Sequence, residues 1–320
     1  MVTDAASSQG RGTLPGAAPR RFSKGSGLGG DSPLRAVLYM SLASLLFPVL
    51  NASVKYLGTR YPMPEIFWAR YAGHAVFCLI ALLPRFGLAL LRTSRPGVQA
   101  WRAVLLFSAS GFYFFGLKTI SLPTASAISF AGPMLVTALS VPMLREKVGQ
   151  RRWLAIIVGF CGALVIIRPG AEFVQWGAVL VLCDVACYAV YQILSRQIGS
   201  IDRAEVSITL AGIGGVALAT MLLPFTDLVM PKGMLDWAIF FFLGLWGLLG
   251  HFFVVKAYQW GSVGVVAPFC YVELVGATIF GLSLFGDFPD AWTWVGAAII
   301  VASGLYITLR EHKLRRMGRI

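Results

Sequence analysis

A chain of 320 residues, 57% hydrophobic and 13% charged, lies outside the composition of soluble globular domains, and a mean hydropathy of +0.74 agrees. Its net charge of +13 sits at the edges of apolar runs rather than in an aromatic-interleaved polar domain. That placement excludes nucleic acid as a partner and implies membrane lipids, above all an anionic leaflet. The class is an all-α integral membrane protein: the apolar runs are about the length that crosses ~30 Å of hydrocarbon as a helix, and they lack the alternation of a transmembrane barrel.

In chain order, residues 1–33 are rich in Gly, Ser, Ala, Pro and Arg and have no apolar core, which predicts a disordered cytoplasmic tail. The same basic, acid-poor character also fits an organelle-targeting sequence. Ten spans follow, at 34–57, 64–84, 101–120, 124–144, 152–168, 174–195, 204–224, 236–258, 263–285 and 291–309, and residues 311–320 form a basic tail. All five cysteines fall inside spans with no metal or redox spacing, so packing is their expected role and no metal or cofactor is implied. No Walker motif or zinc-binding pattern occurs, and the longest ordered loop is about sixteen residues, which leaves no room for a nucleotide-driven engine.

The spans carry few polar groups, and each costs roughly 2.5 to 3.5 kcal/mol in hydrocarbon if charged. Span one has Asn51 and, at its outer end, Lys55; span two has Arg70 near its outer end and His74 at mid-depth. Span six has Asp184, Tyr188 and Gln192, closed by Arg196; span eight has His251 and Tyr258; span nine has Tyr271 and Glu273. Asp184 and Glu273, at mid-depth, suit groups that exchange a proton or meet a cationic substrate, and also fit carboxyls that bind neighbouring helices. The histidines can relay protons or simply pack. Lys55, Arg70 and Arg196 are candidates for gating or for orienting an anionic group, with snorkelling to headgroups as the simpler account. Tyr113 in span three, Phe130 in span four, and Tyr188, Tyr258 and Tyr271 could line an amphipathic cavity. Pro48, Pro133 and Pro268 should interrupt spans one, four and nine. Gly244, Gly247 and Gly250 give span eight a smooth stripe that another helix can approach.

The chain also repeats itself. A shift of 141 residues sets Asn51 on Gln192, Lys55 on Arg196, Gly58 on Gly199, Glu146 on Asp287, Trp153 on Trp294 and Leu164 on Leu305. Within this echo the stretch from Leu144 to Arg152 is strongly basic, whereas its counterpart from Phe285 to Thr293 has no Lys or Arg. With both termini inside, cytoplasmic segments hold 21 Lys and Arg and outer segments 5. Each repeat has five spans, an odd number, so the second must be inverted relative to the first, and the charge mismatch follows. Two inverted five-helix repeats, at 34–170 and 174–310, are the plan of secondary transporters.

The chain resembles the drug/metabolite transporter superfamily in its ten-span EamA-type branch. The resemblance rests on Lys55, on Pro64-Glu65 through Arg70-Tyr71, on Leu144-Arg145-Glu146 and on Trp153 through Gly159 to Gly162. In the second half it rests on Ala267-Pro268-Phe269-Cys270-Tyr271 and Phe285-Gly286-Asp287-Phe288-Pro289. The chain departs from many relatives at Phe47-Pro48, where they carry Trp-Gly, and at Asp287, where they carry Glu. The resemblance implies a cavity between the halves, lined by spans one to four and six to nine, and a subset that includes carriers for S-adenosylmethionine and riboflavin. The expected function is thus alternating-access transport of a small organic metabolite across a bacterial inner membrane, with protons as a candidate coupling ion. Monomer and homodimer both fit. A lipid-linked or nucleotide-sugar translocator is the alternative; an integral-membrane enzyme is the remote one, because no nucleophile, metal or acid/base cluster is evident.

Overall fold

The structure is a computed structural model that describes residues 32–145, 148–168, 176–199, 201–261 and 263–316. The expected N-terminal tail up to residue 31, Glu146 and Lys147, the 169–175 linker and the last four residues of the basic tail lie outside the described residues.

The described chain is helical throughout. Helices α1 (Pro33–Gly58), α2 (Met63–Phe86) and α3 (Pro96–Gly116) each start with proline in the first turn, where its missing N–H costs nothing. Then come α4 (Leu122–Ser129), α5 (Gly132–Leu144), α6 (Gln150–Ile167), α7 (Trp176–Ile198), α8 (Ala204–Leu222) and α9 (Met234–Trp260). The chain ends with a short α10 (Val263–Val266), α11 (Val272–Phe285) and α12 (Ala291–Arg316). At 1.5 Å per residue, 20 residues reach about 30 Å, so the long helices are of membrane-crossing length. Among the described residues nine stretches are both long and apolar enough to span, with α4 joined to α5. α3 is the tenth helix of that length and buries Gln99 and Arg102.

Spans four and nine are broken, as their prolines suggested. α4, whose first turn is capped by Ser121 Oγ accepting from Thr124 N, stops at Ser129, and α5 restarts at Gly132 with Pro133 in its first turn. In span nine a 3₁₀ segment, Ala267–Tyr271, separates α10 from α11. Span one corrects the expectation: α1 runs unbroken through Pro48, which packs against Gly276 of α11. Ser44, one turn before Pro48, donates from Oγ to the Phe269 carbonyl inside the 3₁₀ break at 3.1 Å, so the break's exposed acceptor is satisfied by a neighbouring span.

Packing follows a pseudo-two-fold rule. α1 lies against α9 as α7 lies against α3; α2 against α9 as α8 against α3; α1 against α11 as α7 against α5. The pairs α2–α8 and α6–α12 map onto themselves. At α6–α12 the symmetry reaches individual residues. A Cβ on Gly159 would meet Ser303, and a Cβ on Gly162 would meet Ile300, the same contact read in both directions. The helix ends agree: Arg145 after α5 and Gly286 after α11, at one repeat position, are both left-handed. Cys78 is buried against Thr209, but Cys161 is exposed on α6, so packing describes only the former.

Candidate functional site

Two groups of polar side chains lie between the halves. The first surrounds the carboxylates. Glu273 stands in the first turn of α11, just past the 3₁₀ break, where the helix N-terminus favours a negative group. Asp184 of α7, Glu273, the Tyr113 phenol of α3 and Tyr188 lie near enough for charge on the carboxylates to be felt by the phenols. Asn51 of α1 donates from Nδ2 to the buried Tyr113 hydroxyl at 3.2 Å. Tyr188, one turn beyond Asp184, stacks on Tyr191 at 5.6 Å between centroids. Phe130, at the break in span four, meets Tyr271, at the break in span nine, edge to face at 4.9 Å.

The second group lines a cavity of about 150 Å³ whose walls include Arg70, Tyr71, His74, Tyr191, Gly247 and His251. Arg70 donates from Nη1 to Ser110 Oγ at 2.7 Å, and its guanidinium lies 5.0 Å from the ring centres of both Tyr71 and Phe114. Tyr71 also donates to Ser110 Oγ, at 3.0 Å. His251 sits edge-on to Phe47 at 5.4 Å. His74 Nε2 is buried and has no hydrogen-bond partner among the described residues. α2 and α9 meet here backbone to backbone: a Cβ on Gly244 would fall 2.1 Å from His74 N, so only glycine lets the two histidine-bearing helices close on this cavity.

Both ends of the bundle join one half to the other. At one end Lys55 pairs with Asp287 and donates to the Ile120 carbonyl at 3.1 Å. Beside it Arg168 pairs with Asp290, and Arg60 lies 3.4 Å from Asp236. Tyr61 donates to the buried Asp236 at 2.6 Å, and Glu65 accepts from Val229 N at 3.2 Å. At the other end Asp202 accepts from Thr93 Oγ1 and from Gln99 Nε2. Arg102 donates to Gln99 Oε1 and, at 2.9 Å, to Ser195 Oγ. The hydroxyl of Thr93, then the Gln99 amide, hold the Asp202 carboxyl below its ordinary range.

Several placements differ from expectation. Arg70 is not at the outer edge but inside the bundle beside His74 and His251. Arg102, the second residue of predicted span three, is buried in α3, where Gln99, Ser195 and Tyr191 satisfy it. Gln192 is exposed, whereas its repeat partner Asn51 is buried. Tyr258 leaves 44% of its surface exposed, and Arg196 is exposed in the last turn of α7. Sequence reasoning missed Tyr191 and Ser110, and it gave no role to Asp236 or Asp290. For Asp290 a signal existed: an acid-only loop after span nine faces the ends of spans one and five, which carry Lys55 and Arg168.

Comparison with known proteins agrees with this geometry. The EamA-like transporter family matches twice, at residues 34–168 and 175–309, two segments that begin 141 residues apart. The chain is 28% identical to the S-adenosylmethionine uptake transporter of Rickettsia prowazekii, over 88% of this chain and 94% of that one. It is 31% identical to the protein of the same name from Rickettsia conorii, over 81% and 87%. It is 29% identical to the riboflavin transporter of Rhizobium johnstonii, over 89% and 95%. One crystal structure superposes with a TM-score of 0.64 at 21% identity, covering 87% of this chain and 97% of its own, which supports the fold alone. Ten helices in two repeats, spanning-length apolar stretches and a double family match together lead to one conclusion: the chain is an integral membrane protein that belongs to the EamA-like transporter family, a transporter and not an enzyme.

Proposed function

We propose that the protein is a secondary carrier that moves a small organic metabolite across the bacterial inner membrane by alternating access, with both termini in the cytoplasm. Relatives named for S-adenosylmethionine and riboflavin point to cargo that is amino-acid-like, S-adenosylmethionine-like or flavin-like. The observation that carries the reading is the packing rule: the main helix contacts α1–α9, α2–α9 and α1–α11 have counterparts in α7–α3, α8–α3 and α7–α5, so the two halves can exchange environments about a fixed centre. At that centre the symmetry is broken by chemistry, because Glu273 stands opposite Gly132 and Asp184 opposite Ala43. Those two carboxylates are the groups that take the coupling proton, the cationic part of the cargo, or each in turn. The spans-one and -six residues Asn51 and Tyr188, with Tyr113, Phe130 and Tyr271, line the path between them.

A lipid-linked or nucleotide-sugar cargo fits less well, because Lys55, a cation that would have to greet its phosphates, is engaged by Asp287. The test is flux in proteoliposomes under an imposed pH gradient. Glu273→Gln should abolish gradient-driven uptake while leaving the protein folded; unchanged coupling would remove Glu273 from the proton path.

A further inference from the structure

Arg70 is a permanently charged group inside a membrane-spanning helix, and although Ser110, Tyr71 and Phe114 hold it there, none of them neutralises its charge. A guanidinium in that setting costs roughly 2.5 to 3.5 kcal/mol unless an anion meets it. Among the described residues no carboxylate lies within ion-pair distance of Arg70. Asp184 stands one turn before Tyr188, which stacks on the cavity residue Tyr191, and Ser110 occupies one of the five N–H donors of Arg70. The guanidinium instead lines the cavity of about 150 Å³ that it shares with His74 and His251, where His74 Nε2 has no partner. The remaining walls are largely apolar, Leu106, Ile208 and Val254 among them, so a polar contact made there is strengthened by the low local dielectric.

The cavity is smaller than the ~300–1,000 Å³ that encloses a whole drug-sized ligand, so it takes a head group and not an entire cargo. We propose that the cavity at Arg70, His74 and His251 receives a carboxylate of the cargo, and that the cargo carries an amino-acid moiety whose cationic part faces Asp184 and Glu273. This rests on the carrier reading above and narrows it. A planar carboxylate matches the guanidinium fork in two hydrogen bonds, and the imidazoles supply ring nitrogens that donate or accept as the adjoining amine requires. A phosphate-rich cargo would bring several negative charges up to two carboxylates, whereas an amino-acid moiety is neutralised at both poles.

The test uses a pair of probes that differ by one group: S-adenosylmethionine and its decarboxylated form, which keeps the sulfonium and the amine. Binding to the purified full-length protein is measured by calorimetry, and flux in proteoliposomes is followed with the same two probes and with riboflavin. Wild type should bind S-adenosylmethionine at least about tenfold more tightly than the decarboxylated probe, a difference of about 1.4 kcal/mol. Arg70→Gln should lower S-adenosylmethionine to the level of the decarboxylated probe and leave the latter unchanged. Arg70→Lys, which keeps the charge and is the safer variant for folding, should retain part of the discrimination because it loses the fork but not the cation. Equal binding of the two probes by wild type, no binding of either, or an equal loss for both in the variants overturns the carboxylate site. In those cases riboflavin flux would leave the carrier reading standing, whereas absence of flux for every probe would overturn the carrier reading itself.

Discussion

Phe130 and Tyr271 occupy the same position of the two repeats and meet each other edge to face at 4.9 Å. A residue can touch its own repeat equivalent only beside the axis that relates the copies, so this pair marks the pseudo-two-fold axis, and both residues sit at the helix breaks of spans four and nine. Such ring pairs contribute about 0.5–1.5 kcal/mol beyond burial. Phe130→Leu and Tyr271→Leu should therefore be non-additive by about that amount in a double-mutant cycle on thermal unfolding in detergent; strict additivity would mean that the rings do not couple.

The Lys55–Asp287 pair is mostly enclosed, with side chains 15% and 28% exposed, which separates it from surface pairs of little worth. Asp287→Asn or Lys55→Gln should each lower stability by about 1–2 kcal/mol, and the double variant should cost little more than either single one. Thermal midpoints of the four proteins check this, and independent, additive losses would mean that the contact contributes nothing.

Gly244 and Gly247 lie one turn apart on α9 and should respond differently to the same change. Alanine at 244 puts its Cβ 2.1 Å from His74 N and must push α2 and α9 apart, whereas at 247 the nearest atom is Leu50 Cδ2 at 3.6 Å. Gly244→Ala should cost about 3 kcal/mol or more and broaden the size-exclusion peak, and Gly247→Ala should be close to neutral. Comparable midpoints for the two would contradict the close approach.

Asp202 joins the loop between α7 and α8 to Thr93 and Gln99, and those bonds hold its carboxyl below the ordinary range. A group whose folded value is depressed stabilises fully above its unfolded value, about 3.9, and that contribution is lost as pH falls through the folded value. The midpoint difference between wild type and Asp202→Asn should thus be constant from pH 8 to pH 5 and shrink only in stronger acid. A difference that grew toward low pH would reverse the assignment.

Much of the helical plan was legible because it depends on signals that act locally. Apolar length marked nine of the ten spanning stretches, and the prolines of spans four and nine marked the breaks at 130–131 and 267–271. Pro48 misled because a proline in an otherwise apolar span can be packed without breaking the helix, here against Gly276. The site was legible only residue by residue. Asp184, Glu273, His74 and His251 stood out as polar groups in hydrocarbon, but sequence cannot say which of four helices bring them together. Arg70 was read at the membrane edge because it lies early in span two; Ser110 and Phe114, remote in sequence, hold it inside together with the neighbouring Tyr71 ring. Arg102, at the start of span three, was given no role for the same reason, since its partner Ser195 is supplied by the other repeat.

The ion pairs at the Lys55 end have a polarity of their own: Lys55, Arg60 and Arg168 all come from the first repeat, and Asp287, Asp236 and Asp290 all come from the second. Two first repeats brought together there would set cation against cation, and two second repeats would set anion against anion. Heterotypic recognition is therefore written into the halves, and a chain severed between residues 169 and 175 and co-expressed as two fragments should reassemble as unlike pairs in preference to like ones.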